Sequence, residues 1–159
     1  MFININFSFS FLSSKASKEL LIINIISGGL KTYNIKLDII IQKNPTLIGY
    51  KNAYQQVLLN IINNAKDILI QRKIENPYIK ISIYERKENI ITTIEDNGGG
   101  IKVEPIEKIF EPFFTYQKIN GSGLGLFMSK LIIQNNMNGK LEASNSENGA
   151  FFKITIPKK

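Results

Sequence analysis

The 159-residue chain contains no cysteine, which excludes a disulfide framework, a thiolate metal site and thiol redox chemistry. That composition suits a reducing compartment, and a cytoplasmic location is expected. Arginine is scarce: Arg72 and Arg86 stand against 18 lysines spread along the chain. Because Arg is the better fork for bases and phosphates, the net charge of +7 reads as a solvated surface, and no nucleic-acid partner is expected. No apolar run approaches the roughly 20 residues that a membrane span needs. Residues 1–12 are rich in Phe and Ile but are interrupted by Asn and Ser and lack a basic start, so no signal peptide is expected.

What remains is a globular composition, 43% hydrophobic, at a length suited to about one domain. Ile and Asn occur 30 and 18 times, so a single Asn carries little weight by itself. Alternation of Ile35, Leu37, Ile39 and Ile41, of Ile79, Ile81 and Ile83, of Ile90, Thr92 and Ile94, and of Phe152, Ile154 and Ile156 predicts four strands. Between the first two, Tyr54, Leu58, Ile61, Ile62, Ala65, Ile68 and Leu69 form the apolar stripe of a long helix over about 50–71. A second helix is predicted over about 124–136, ended by Asn138-Gly139, with a strand from Lys140 to Ala143 pairing with 150–156 across a turn-rich 144–149. An earlier helix is predicted over 15–33, interrupted at Gly28-Gly29 and preceded by a tail. These elements give an α/β (α+β) two-layer sandwich: a mixed sheet with one face covered by helices.

Three local patterns carry chemistry. On the long helix, Gln56, Asn60, Asn64, Asp67 and Gln71 recur every three or four residues and form a polar ridge. Asn is unfavourable in a helix interior by several tenths of a kcal/mol relative to Ala, yet Asn60, Asn63 and Asn64 crowd about one turn, and an Asn carbonyl is a neutral hard donor suited to Mg²⁺. A solvated helix face is the alternative. Asp96 ends a strand and precedes Asn97-Gly98-Gly99-Gly100, which suits a carboxylate that accepts from an exocyclic amine beside backbone permissive enough to approach a planar base. An ordinary turn has the same composition. Gly121-Ser122-Gly123-Leu124-Gly125-Leu126 opens the second helix, where backbone N–H groups can converge on phosphate. Its spacing is neither a P-loop nor a Rossmann fingerprint. Between the glycine clusters, Ile109-Phe110-Glu111-Pro112-Phe113-Phe114-Thr115 reads as a hinged lid, with Lys118 bringing charge to a bound anion; Phe110 and Phe113 read equally as core plugs.

Taken in order, these stretches resemble the motifs of sensor histidine kinases: the asparagine box over Gln56 to Ala65, the first glycine box over Asp96 to Ile101, the phenylalanine box over Phe110 to Phe114 and the second glycine box over Gly121 to Leu126. The resemblance covers about 35–157. It implies the Bergerat-type ATP-binding fold shared with the Hsp90, gyrase and MutL group, with ATP held between the asparagine helix and a lid over about 113–122. By position, Asn64 is similar to the family's Mg²⁺ ligand and Asn60 to its supporting polar residue near the phosphates, and these two are the catalytic candidates. Asp96 is similar to the adenine-reading carboxylate, with Gly98, Gly100 and Ile101 shaping the base pocket. Gly121, Ser122, Gly123, Leu124, Gly125 and Leu126 match the phosphate loop, and Asp67, Phe113 and Lys118 complete the expected ATP-facing set.

Two departures bear on mechanism. The ATP-hydrolysing relatives carry a Glu general base where this chain has Asn60, and an amide takes no proton at neutral pH, so slow hydrolysis is expected. The sequence also contains no histidine, so the acceptor of a histidine kinase must be supplied from elsewhere. The resemblance therefore implies two parts: residues 1–34 as tail and connecting helix, the link to a histidine-bearing dimerisation hairpin, and residues 35–159 as the ATP-binding catalytic domain. It further implies protein-histidine kinase activity, relay to a response regulator, a monomeric state without the hairpin, and a parent protein that can be membrane-anchored although no span lies in this chain. Alternative readings are a stand-alone serine kinase of the anti-sigma type, an ATPase of the Hsp90 or MutL kind, and a nucleotide-binding remnant without turnover.

Overall fold

The computed structural model describes residues 5–6, 29–42, 51–116 and 121–158. Six strands form one sheet: β1 (Ile5–Asn6), β2 (Lys36–Ile41), β3 (Tyr78–Arg86), β4 (Asn89–Asp96), β5 (Lys140–Asn145) and β6 (Ala150–Pro157), in the order β1-β2-β3-β4-β6-β5. The first three are mutually parallel and the remaining pairings are antiparallel. All five sequence-predicted strands are present, and β1 is an addition that two residues could not announce. Of the helix expected over 15–33, residues 29–33 lie among the described residues: 29–31 are helical and 32–33 already form a turn.

Register sorts the side chains into faces. Ile39 pairs with Ile81, Ile81 with Ile94, Ile94 with Phe152 and Phe152 with Ala143, so one apolar row crosses five strands. The next row inward at the strand ends runs Leu37, Ile79, Asp96. Asp96 is thus buried because the pleat places it on the core face beside two buried aliphatics. The opposite face carries Lys36, Lys80, Glu95 and Lys153, all exposed or half-buried.

Helix α1 (Lys51–Gln71) covers the apolar rows with Val57, Ile61, Ile62, Ala65 and Leu69. Each aliphatic side chain so buried contributes roughly 1.5–3 kcal/mol of transfer free energy. The helix ends in a Schellman turn: Lys73, at φ 50°, donates to Ile70 O, and Ile74 N–H donates to Leu69 O at 3.1 Å. That geometry makes Arg72 the capping residue and turns it off the helix axis. Under α1, Tyr54 Oη and Thr92 Oγ1 lie 2.5 Å apart, and burial pushes the Tyr54 hydroxyl up to about 12.

A 3₁₀ turn (Ile106–Phe110) leads to α2 (Gly125–Leu131), which continues as a π-helical stretch, Ile132–Asn136. The predicted helix over 124–136 is therefore present but widened in its second half, and Ile133 and Met137 from this part enter the core. Phe110 is a core plug as one reading held, whereas Phe113 is 74% exposed. Its φ of 62° turns the side chain away from the core, because its backbone lies against Gly123.

Candidate functional site

The strand end at Asp96 is built for a buried carboxylate. Oδ1 accepts Gly98 N–H at 2.8 Å and Ala150 N–H at 3.3 Å, while Oδ2 takes neither bond. Burial raises the carboxyl above the ordinary Asp value; the two N–H groups and the Arg72 charge oppose the rise, and Glu95 adds to it. Gly98 is buried against this carboxylate, and a Cβ there would lie 2.8 Å from Ile68 Cγ2 and 3.0 Å from Asp96 Oδ1. Gly98 thus positions Asp96 from behind.

The glycine turn that follows is held from two sides. From α1, Arg72 Nη1 donates to Gly98 O at 2.6 Å and to Gly100 O at 3.0 Å. From the β5–β6 hairpin, Asn145 brackets Ile101: its Oδ1 accepts Ile101 N–H at 2.7 Å and its Nδ2 donates to Ile101 O at 3.0 Å. Gly99 N–H donates to Asn148 O at 2.9 Å.

At the other end, Asn60 ties α1 to α2. Its Nδ2 donates to Gly125 O at 3.2 Å and to Ser129 Oγ at 3.1 Å, and its Oδ1 accepts from Gln56 Nε2 at 3.0 Å. Ser129, fully buried, donates to Gly125 O at 2.8 Å. The entry to α2 is set by Ser122, whose Oγ accepts Leu124 N–H at 3.3 Å, and by Gly123 at φ 69°, where a Cβ would fall 2.4 Å from the Phe113 backbone carbon. Only glycine fits that crossing.

Between these ends lies a cavity of about 340 Å³. Of the sequence-predicted residues, Asn60, Asn64, Asp96, Gly100, Ile101, Gly121, Ser122, Gly123, Gly125 and Leu126 line it. Asp67, Gly98, Phe113 and Leu124 do not: Gly98 packs behind Asp96 against Ile68, and Phe113 faces solvent. Lys118 lies outside the described residues. Sequence reasoning missed Arg72 and Lys102, the two cations of the lining, together with Ile68, Thr115 and Tyr116. The three- and four-residue spacing of Ala65, Ile68 and Arg72, running just past the end of α1, was the available signal for Arg72.

Among the described residues no group of three or more His, Cys, Asp and Glu could hold a metal, and no helix is long and apolar enough to cross a membrane. The cavity therefore offers one buried acid at its deep end and neutral amides, glycine backbone and hydroxyls at its mouth. An aromatic amine would find an acceptor at the first, and an anion would find donors at the second.

Known proteins are similar to this chain in sequence and fold. Residues 49–159 match the family described as histidine kinase-, DNA gyrase B- and HSP90-like ATPase, and the chain belongs to that family. The two-component sensor PprA of Pseudomonas aeruginosa is 30% identical over 140 residues, 85% of this chain and 15% of its own length. Sporulation kinase A of Bacillus subtilis is 35% identical over 111 residues, 70% of this chain and 18% of its own length. The chain thus spans less than a fifth of these curated relatives. Among solved structures, the catalytic domain of histidine kinase ThkA matches at 30% identity with a TM-score of 0.76, over 93% of both chains. A structure of ThkA in complex with the response regulator protein TrrA matches at 26% identity with a TM-score of 0.69, over 89% of this chain and 40% of that one. The α/β sandwich expected from the sequence is the fold of the histidine kinase catalytic domain.

Proposed function

We propose that the cavity binds ATP and that this chain supplies the nucleotide-binding catalytic unit of a two-component sensor histidine kinase, residues 35–159, with residues 1–34 as the link to a histidine-bearing dimerisation hairpin. The observation that carries the reading is Asp96: a buried carboxylate with one oxygen fixed by two backbone N–H groups, at the deep end of a cavity lined by both glycine motifs. The second oxygen accepts the exocyclic amine of adenine, a charge-assisted bond of about 1.5–3 kcal/mol. Gly100 and Ile101 flank the base. Gly121, Ser122, Gly123 and Gly125 surround the phosphates with backbone donors, and Thr115 and Tyr116 belong to the same lining.

The donor set fits a magnesium ion held chiefly by the nucleotide. The residues at this end are amides, so Asn64 would supply a neutral oxygen while phosphates and water complete the shell. Bound there, the ion would neutralise charge on the transferring phosphoryl group. Asn60, engaged by Gln56, Gly125 and Ser129, orients the α2 entrance and has no basicity with which to activate water. An amide in place of a general base at position 60 favours phosphoryl transfer over hydrolysis. Since the sequence contains no histidine, the acceptor is a histidine outside these residues, and a response regulator receives the phosphoryl group from it.

The test is a titration with a fluorescent ATP analogue, with and without Mg²⁺, on the native chain and on Asp96→Asn, followed by phosphotransfer to an added histidine-bearing hairpin. Saturable binding that ATP displaces, that Mg²⁺ strengthens and that Asp96→Asn removes supports the reading. A folded native chain that does not bind refutes it.

A further inference from the structure

Arg72 is the one guanidinium in the cavity lining, and its two carbonyl partners define what it does. The Schellman turn at the end of α1 sends the side chain under the Gly98–Gly100 turn, where Nη1 lies 2.6 Å from Gly98 O and 3.0 Å from Gly100 O. Gly99 and Gly100, at φ of 81° and 79°, carry no side chains, so the turn's shape rests on its hydrogen bonds, to Arg72 on one side and to Asn145 and Asn148 on the other. Gly98, whose carbonyl Arg72 grips, is also the residue whose N–H fixes Asp96 Oδ1 at 2.8 Å. One cation therefore holds both the wall of the base pocket and, through Gly98, the carboxylate at its floor.

We propose that Arg72 sets the base selectivity of the cavity in favour of a 6-aminopurine, as a positioning residue acting through the Gly98–Gly100 turn and Asp96. The inference rests on the reading of the cavity as a nucleotide site. A 6-aminopurine donates to a carboxylate acceptor, whereas a 6-oxopurine presents an oxygen that the same carboxylate repels. The charged groups acting on Asp96 are Arg72, which favours the acceptor form, and Glu95, which opposes it. Without the guanidinium, burial is left to favour a protonated carboxyl, which donates to a 6-oxo group instead of accepting from an amine. The same loss frees Gly98 O and Gly100 O, and the turn can open.

The experiment is displacement of a fluorescent ATP analogue from the full chain by ATP and by ITP, which differ at the 6-position in this sense. The ATP-to-ITP affinity ratio is compared between the native chain and Arg72→Met. The expected result is a fall in that ratio of about tenfold, equivalent to roughly 1.4 kcal/mol, with most of the loss on the ATP side. A merely structural role weakens both nucleotides alike, so equal weakening, like an unchanged ratio, overturns the proposal. Should circular dichroism show Arg72→Met unfolded, Arg72→Gln, which keeps a donor without the charge, is read on the same ratio and by the same criteria. A native chain that binds neither nucleotide overturns the nucleotide reading itself; a native chain that prefers ATP while the variants keep its ratio overturns only the role of Arg72.

Discussion

Gly149→Ala should be among the most damaging single-methyl additions in the molecule. A Cβ built at Gly149 would lie 1.8 Å from Asp96 O, 2.5 Å from Asp96 C and 2.7 Å from Asp96 Oδ1. Cβ atoms do not approach other heavy atoms within 3.0 Å, so the β5–β6 hairpin must retreat by about 1.2 Å, and the two nearest neighbours are backbone atoms that cannot swing aside. The retreat breaks Ala150 N–H to Asp96 Oδ1 and Gly99 N–H to Asn148 O. Two hydrogen bonds at about 1 kcal/mol each, together with about 1–3 kcal/mol of overpacking, outweigh the fraction of a kcal/mol that Ala gains by restricting the unfolded chain. The net loss is about 3 kcal/mol, read by urea denaturation, or a fall in Tm of roughly 6–12 °C. Gly29→Ala is the control, because nothing lies within 4 Å of its Cβ and Ala is the better helix former. If Gly149→Ala costs less than about 1 kcal/mol, or no more than the control, the close approach of hairpin and strand end is not what holds Asp96.

Asp96→Asn should leave the chain folded, since the amide oxygen still accepts from Gly98 and Ala150, and should raise stability at neutral pH by removing the burial cost of a charge, while ATP-analogue binding is lost; a folded variant that binds normally refutes the role. In the native chain the folded-state value of Asp96 is raised, so affinity should fall as pH drops through a midpoint above the ordinary 3.8, and Asp96→Asn should lack that transition in a pH series. Tyr54, raised from 10.0 to about 12, holds its proton more tightly folded than unfolded. Stability is therefore full below pH 10 and should decline between about pH 10 and 12 by on the order of 2–3 kcal/mol, with Tyr54→Phe removing most of that dependence in urea melts. Asn60→Ala should cost about 1–3 kcal/mol, because it strips one donor from Ser129 Oγ and Gly125 O in a partly buried junction; an unchanged urea midpoint would show that α1 and α2 are held by apolar contacts alone.

The strands were readable because their inner rows alternate against a covered face, and α1 because its apolar stripe follows the helical period. Asp96 was readable as a strand-end acid before glycine. What escaped the sequence depends on contacts between distant segments. Asn145 looks like any turn residue, and its bracket on Ile101 exists only after the hairpin docks. Arg72 reads as a solvated helix-end cation until the Schellman turn at Lys73 directs it under the glycine turn. Phe113 belongs to an aromatic run whose other members are buried or half-buried, and only the contact of its backbone with Gly123 turns it outward. The π-helical stretch has no signature in side-chain spacing, because Ile133 and Met137 suit an α-helix equally well.

The bond between Asp96 and Ala150 joins residues 54 positions apart, and that distance has a meaning during synthesis. At roughly 5–20 residues per second, a ribosome that has just added Asp96 needs about 3–11 s more to add Ala150. For that interval the nascent chain carries a carboxylate destined for burial without the strand that will receive it, and the cavity has only part of its wall. Nucleotide in the cell therefore cannot serve as a template for the early stages of folding. It can only select and hold chains in which β6 has already been threaded between β4 and β5.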